Sequence, residues 1–229
     1  MTILEARERI GGRIYSVTAV HKHHAFDLGP AWFWPHHKKV MAMLQQFGLA
    51  HHTQYETGDT MFEPRAGLPP QRITPNWEQP LSYRIVGGTI ALATALAAQL
   101  PPESIHFKHV VQTISQGSDG KIMVTVASGD EQTNWQANQV IVTLPPHLAA
   151  TTIIYSPALP NNVQQAMTQT PTWMGEAMKV SLVYERPFWR DKGLSGTAVS
   201  YVGPVQQFHD ATPADEAVGA LFGWVGNHS

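Results

Sequence analysis

The cleanest alternation of apolar and polar side chains runs over residues 178–184. Met178, Val180, Leu182 and Tyr184 fall on one face of a strand, and Lys179, Ser181 and Val183 on the other. Val140, Ile141, Val142, Thr143 and Leu144 form a near-continuous apolar run that stops at Pro145-Pro146. That pattern predicts a strand buried on both faces, as in a parallel sheet. Further strands are predicted over 2–5, 60–62, 104–107, 109–115, 122–127, 197–201, 205–208 and 218–225, the last three extending an antiparallel sheet. Gly117-Ser118-Asp119-Gly120 supplies the turn between two of them. Residues 14–20 read as an extended arm, turned at 21–24 and returning over 25–28.

Helical spacing appears in three places. Val40, Leu44 and Phe47, with Met41 and Met43 beside them, follow a helix entry at Trp34-Pro35 and precede a stop at Gly48. Leu92, Leu96 and Leu100 form an i, i+4 stripe over 90–100, closed by Pro101-Pro102. Asn161 or Asn162 is placed to cap a helix through Gln169. Residues 50–81 are punctuated by Pro64, Pro69, Pro70, Pro75 and Pro80 and read as loop around one short strand. Strands and helices together predict an α/β chain.

Composition narrows the possibilities. A chain of 229 residues suits one large domain or two small ones, and 43% hydrophobic with 14% charged residues describes a folded globular protein. The net charge of −2, with no run of Lys or Arg, argues against nucleic acid as the main partner. The absence of cysteine excludes disulfides, cysteine-ligated zinc and thiol catalysis within the chain. Twelve histidines include His21, His23-His24, His36-His37 and His51-His52, but no H-E-x-x-H pattern occurs, and no metal site is expected. No stretch approaches the roughly 18 consecutive apolar residues of a membrane helix. No signal peptide is evident either, so a cytoplasmic protein is expected.

The candidate chemistry starts at Ile3-Leu4-Glu5-Ala6-Arg7-Glu8-Arg9-Ile10-Gly11-Gly12-Arg13. An acid closing a short apolar strand is placed to accept hydrogen bonds from ribose hydroxyls. Paired glycines let a backbone approach a ligand closely, and a guanidinium forks onto phosphate oxygens. The same residues also describe a plain strand end, a charged turn and a glycine hinge. Trp32-Phe33-Trp34 suits either the wall of a ligand site or the cap of a core. Lys179 suits either a solvent-facing strand position or a buried functional one.

The order of these residues resembles the flavin-dependent monoamine oxidase family. Leu4-Glu5-Ala6-Arg7-x-Arg9-x-Gly11-Gly12-Arg13 is similar to its ribose-and-pyrophosphate segment, and Phe26-Asp27-Leu28-Gly29-Pro30-Ala31-Trp32 to its next flavin-contacting turn. Arg84-x-x-Gly87-Gly88 before a helix, the apolar run before Pro145-Pro146, and Lys179-x-x-x-x-Tyr184-x-x-Pro187-Phe188-Trp189-Arg190 resemble further family segments. The resemblance implies FAD as cofactor, held by Glu5, Ala6, Arg7, Gly11, Gly12, Arg13, Gly29, Pro30, Ala31, Trp32 and the Val110 backbone. Lys179 would hold a water near flavin N5. It implies oxidation of a small amine to an imine, with hydride transfer to flavin N5 and reoxidation by oxygen to give hydrogen peroxide. A cysteinyl-flavin bond within this chain is impossible.

No G-x-G-x-x-G occurs in the chain. By resemblance the chain is a compact bacterial type cut at both ends: an incomplete Rossmann-like FAD-binding domain lacking the first strand, with an antiparallel-sheet substrate-side part. The expected segments are 1–50 (partial FAD-binding), 51–82 (short substrate-side connection), 83–160 (return to the FAD-binding domain) and 161–229 (substrate-side sheet). Unpaired sheet edges lead to an expectation of self-association, as a homo-oligomer or with a complementary chain. FAD binding by this chain alone is expected to be weak or absent. The alternatives to an active oxidoreductase are a flavin-free remnant acting as a self-associating binding module, and half of a split enzyme.

Overall fold

The computed structural model describes residues 1–18, 24–76, 80–172, 175 and 177–225. The turn expected at 21–24 lies mostly outside them. The chain divides into two compact units, Met1–Ile10 with Leu100–Gly175 and Gly11–Gln99 with Glu176–Ser229. The architecture is α/β with mixed sheets. No helix among the described residues is long and apolar enough to cross a membrane.

In the first unit, Ile3–Leu4 pairs in parallel with Ile105–His106. A four-stranded sheet runs in the order Glu131–Ala137, Ile122–Ser128, Val110–Gln116 and Ile154–Ser156. The first three strands are antiparallel, and Ile154–Ser156 joins in parallel. The expected turn closes with the Gly117 N–H donating to the Lys121 carbonyl at 2.8 Å. Val124 and Val126 are buried, as are Ala149 of the helix Pro146–Thr152 and Ile153 just after it. The expected helix forms over Asn161–Gln169.

One expectation in this unit fails. Residues 140–144 form no strand, and Ile141 is 86% exposed, with Val142 and Leu144 also exposed. An apolar run becomes a buried strand only where neighbours supply ladder hydrogen bonds and a covering layer. Among the described residues no strand lies alongside this one.

The second unit is built on six strands in the order Met178–Tyr184, Gly219–Val225, Val205–Asp210, Leu194–Ser200, Asp59–Glu63 and Gln71–Ile73. The pairs are antiparallel except Leu194–Ser200 with Asp59–Glu63, which is parallel. Residues 50–81 are therefore less loop-like than their prolines suggest. They hold three short strands, including His51–Thr53 paired with Tyr83–Ile85. These strands are short and polar, so pairing rather than alternation defines them.

The helix Lys38–Gln46 buries Leu44 against Phe33, Ile85 and Leu92, the last from the helix Ile90–Ala97. A second core joins Phe26, Ala31, Ala211, Val218, Ala220 and Phe222, with Trp32 and Trp224 packed against it. The aromatic run thus divides: Phe33 enters the first core, while Trp32 lies against the sheet.

Candidate functional site

Strand register in the second unit brings polar and aromatic side chains onto one sheet face. Ser181 is paired with Phe222, which is paired with His209. One step along, Lys179 is paired with Trp224, which is paired with Gln207. Residues directly opposite one another project to the same side of a sheet. Lys179, Ser181, Phe222, Trp224, Gln207 and His209 therefore share a face. Trp32 covers part of it, with its ring centroid 5.2 Å from Phe222 and 5.3 Å from His209.

Lys179 is held from two sides. Its Nζ donates to the Gly29 carbonyl at 2.6 Å and sits 4.4 Å from the ring centroids of both Phe222 and Trp224. A cation over aromatic faces is attracted by their quadrupoles. Burial first, then the Arg84 charge, nevertheless pushes the Lys179 ammonium down to about 8, with Asp27 opposing. Burial, then the positive charges of Lys179 and Arg84, pushes His209 down to about 4. At neutral pH the His209 imidazole is uncharged.

A buried polar network backs this face. Asp27 accepts from the Ser16 hydroxyl at 2.6 Å, the Thr89 N–H at 2.9 Å and the Thr89 hydroxyl at 2.8 Å, with Arg84 at 3.9 Å. Asp210 accepts from the Trp189 indole at 2.8 Å, from Arg190 at 3.0 and 3.1 Å, and from the Thr212 N–H at 2.8 Å. Such satisfied carboxylates fix the strands that carry them. The Ser181 hydroxyl, by contrast, is buried with no protein partner among the described residues.

The sequence pattern of the flavin containing amine oxidoreductases matches residues 1–82 and 70–226. The chain belongs to this family. Putrescine oxidase from Kocuria rosea is 35% identical over 151 residues, 63% of this chain and 31% of that protein. An L-amino acid dehydrogenase from Synechocystis is 33% identical over 148 residues, 65% of this chain and 30% of that protein. The chain thus spans about 30% of the length of these relatives. A solved structure of wild-type putrescine oxidase bound to putrescine shares the fold, with a TM-score of 0.82 at 19% identity, over 99% of this chain and 70% of that one.

The expected site residues fall into both units. Glu5, Ala6, Arg7 and Val110 lie in the first. The Glu5 carboxylate accepts the Arg7 N–H at 2.8 Å, its Oε1 capping the turn that follows. Val110 is 47% exposed and opens the strand Val110–Gln116. The second unit holds Gly11, Gly12, Arg13, Gly29, Pro30, Ala31, Trp32 and Lys179. Gly11 and Gly12 take φ of 97° and 57°, and Arg13 is exposed. The Pro30 carbonyl accepts the Thr89 hydroxyl at 3.1 Å, and Ala31 is buried in the core. The structure brings Gly29, Trp32 and Lys179 to one place.

Gly29 is constrained by its own chain. A Cβ there would sit 2.9 Å from the Tyr15 nitrogen and closer still to the Arg13 carbonyl oxygen. Sequence reasoning missed Phe222, Trp224 and His209 as site residues. The i, i+2 spacing of Phe222 and Trp224 was visible within the predicted strand 218–225. The register that sets them beside Lys179 was not.

Proposed function

We propose that this chain carries part of the machinery of an FAD-dependent oxidoreductase that converts an amine to an imine. The carrying observation is Lys179, half-buried between two aromatic rings and fastened to the Gly29 carbonyl, in a chain of the amine oxidoreductase family. FAD, when bound, supplies the hydride acceptor at N5. The donor and acceptor set fits that cofactor in kind. Glu5 offers a carboxylate for ribose hydroxyls and Arg13 an exposed guanidinium for pyrophosphate. Ala6, Arg7 and the Gly11-Gly12 turn would supply backbone and charge for the same group, and the Val110 backbone would contact the adenine. Gly29, Pro30, Ala31 and Trp32 would form the flavin-side turn, and Lys179 would hold a water for the flavin chemistry.

The sheet face also suits a neutral amine. Its rings offer apolar area, and the charges of Lys179 and Arg84 disfavour a second cation beside them. The names of the relatives differ in substrate, so family membership alone leaves the amine open. A cytoplasmic location belongs to the same reading. So does coverage of exposed Ile141, Val142 and Leu144 by a second copy or a complementary chain.

The test is reconstitution. The chain is incubated with FAD, freed of unbound flavin, and mixed anaerobically with a panel of amines. Retained flavin that is bleached by amines supports the proposal. Retained flavin that no amine bleaches refutes it. Failure to retain flavin is the outcome expected of a chain that alone binds FAD weakly, and favours the alternatives of a flavin-free remnant or half of a split enzyme.

A further inference from the structure

We infer that His106 and His109 form a surface chelate for a divalent late transition-metal ion, Cu2+ ahead of Ni2+ or Zn2+. The site lies wholly in the first unit, and the inference is independent of the amine-oxidising reading.

A turn makes the pair. His106 ends the short strand Ile105–His106, where it is paired with Leu4. Lys108 then takes a φ of 59°, a left-handed conformation that strains any residue with a Cβ. Backbone contacts hold it there: the Lys108 N–H donates to the Arg7 carbonyl and the His109 N–H to the Glu5 carbonyl, both at 2.9 Å. The bend sets the two imidazoles with ring centroids 5.4 Å apart. Two imidazoles bound to one ion through nitrogens about 2.1 Å from it hold their ring centres about 4.5–5.5 Å apart. The pair therefore needs little rearrangement to close on an ion. Motif spacing predicts no metal site because it looks for ligands on one helix or beside an acid cluster, and a left-handed turn leaves no such signature.

The rings are also oriented as metal ligands are. His109 Nδ1 donates to the Phe107 carbonyl at 2.7 Å. That bond fixes the tautomer of the neutral ring and leaves the Nε2 lone pair for an ion, the way the second nitrogen of a metal-bound histidine is commonly held. The His106 ring has no hydrogen-bond partner among the described residues, and its nitrogens are not sealed from solvent. Trp135 backs both rings, at 4.6 Å from His106 and 6.0 Å from His109, and its indole donates to the Thr133 hydroxyl at 3.2 Å. The two ligands thus stand against a fixed wall.

Charge and ligand type decide the ion. The Lys108 ammonium, between the two histidines in sequence, is drawn to Glu8 at 3.1 Å. Imidazole nitrogen suits copper, nickel and zinc, whereas magnesium and calcium take oxygen. Cu2+ heads the series at a nitrogen site of given geometry. Among the described residues no third His, Asp or Glu completes the set, so water would fill the remaining positions. A second close pair, His36 and His37, has ring centroids 4.5 Å apart. No hydrogen bond among the described residues fixes the tautomer of either ring, which makes that pair the internal control.

The experiment uses the full chain without an affinity tag, stripped with a chelator and titrated with Cu2+, Ni2+, Zn2+ and Mg2+ in a non-coordinating buffer. Calorimetry is expected to show one distinct tight site per chain, strongest for Cu2+ and absent for Mg2+. Paramagnetic resonance of the Cu2+ form should show coupling to two nitrogens. His106→Gln and His109→Gln should each weaken Cu2+ binding at least about tenfold, the scale of loss found even for outer partners of a metal ligand. The double variant His36→Gln/His37→Gln should keep the site, and thermal melts report whether each variant folds. Weak binding with no distinct first site in the parent chain overturns the inference without any variant. So does unchanged Cu2+ affinity in a folded His106→Gln or His109→Gln, or loss of the first site in the His36/His37 variant instead.

Discussion

Replacing Asp210 by alanine is expected to destabilise the second unit severely. The carboxylate is 2% exposed and accepts from Trp189, Arg190 and Thr212. Truncation leaves the Arg190 guanidinium, itself only 13% exposed, without its buried partner. Breaking a buried ion pair in this way costs about 3–5 kcal/mol. Glu216 and the Tyr55 ring stay in contact with Arg190 and hold the loss toward the lower end. The indole N–H of Trp189 and the backbone N–H of Thr212 lose their acceptor, adding roughly 1 kcal/mol each. The net expectation is a loss of about 5 kcal/mol, a large share of the roughly 5–15 kcal/mol that separates folded from unfolded domains. Urea unfolding followed by tryptophan emission, with Trp189 as a buried reporter, measures it directly. The melting temperature should fall by about 10 °C for a chain of this size. Asp210→Asn, which keeps the shape and one acceptor, should lose about half as much. An Asp210→Ala chain within about 1 kcal/mol of the parent would falsify the account of this network.

Three further outcomes are expected. Gly29→Ala should cost about 2 kcal/mol or more and weaken the Lys179 contact, because the added methyl meets the Arg13–Tyr15 backbone; chemical denaturation checks it. Lys179 should react with an acylating reagent with a half-point near pH 8 rather than at the ordinary lysine value of 10.5, as read by mass-spectrometric labelling. Because its folded value is lowered, the matching stability is complete only above the unfolded value and is lost as pH falls through about 8. Lys179→Met should flatten that slope. Ser181→Ala should be neutral or stabilise by up to about 1 kcal/mol, since it removes a buried hydroxyl that has no protein partner among the described residues; a clear loss of stability would show a bound partner there.

Much of the second unit's sheet could be read from alternation alone. Residues 178–184 form a strand with the predicted bounds, and 205–208 and 218–225 lie within a residue or two of the observed strands. What remained hidden was pairing. His51–Thr53 and Gln71–Ile73 are short and polar, and they are strands only because Tyr83–Ile85 and Asp59–Glu63 lie beside them. Val140 to Leu144 shows the converse, since strong apolar character produced no strand where no strand among the described residues lies alongside. The site behaves the same way. Gly29, Trp32 and Lys179 could be picked out by resemblance. His209, Phe222 and Trp224 could not, because their proximity to Lys179 depends on strand register, which no local pattern encodes.

The interleaving of the two units also constrains how the chain is made. Each unit is assembled from two separated stretches, one before and one after a portion of the other. When residue 99 has left the ribosome, the six-stranded sheet has only Asp59–Glu63 and Gln71–Ile73, and its other four strands are still to come. The parallel junction between Asp59–Glu63 and Leu194–Ser200 closes a loop of more than a hundred residues, a slow step in any folding reaction. Synthesis from one end to the other therefore cannot deliver these units in sequence, and termination before Gly219–Val225 should yield aggregates rather than a smaller native protein.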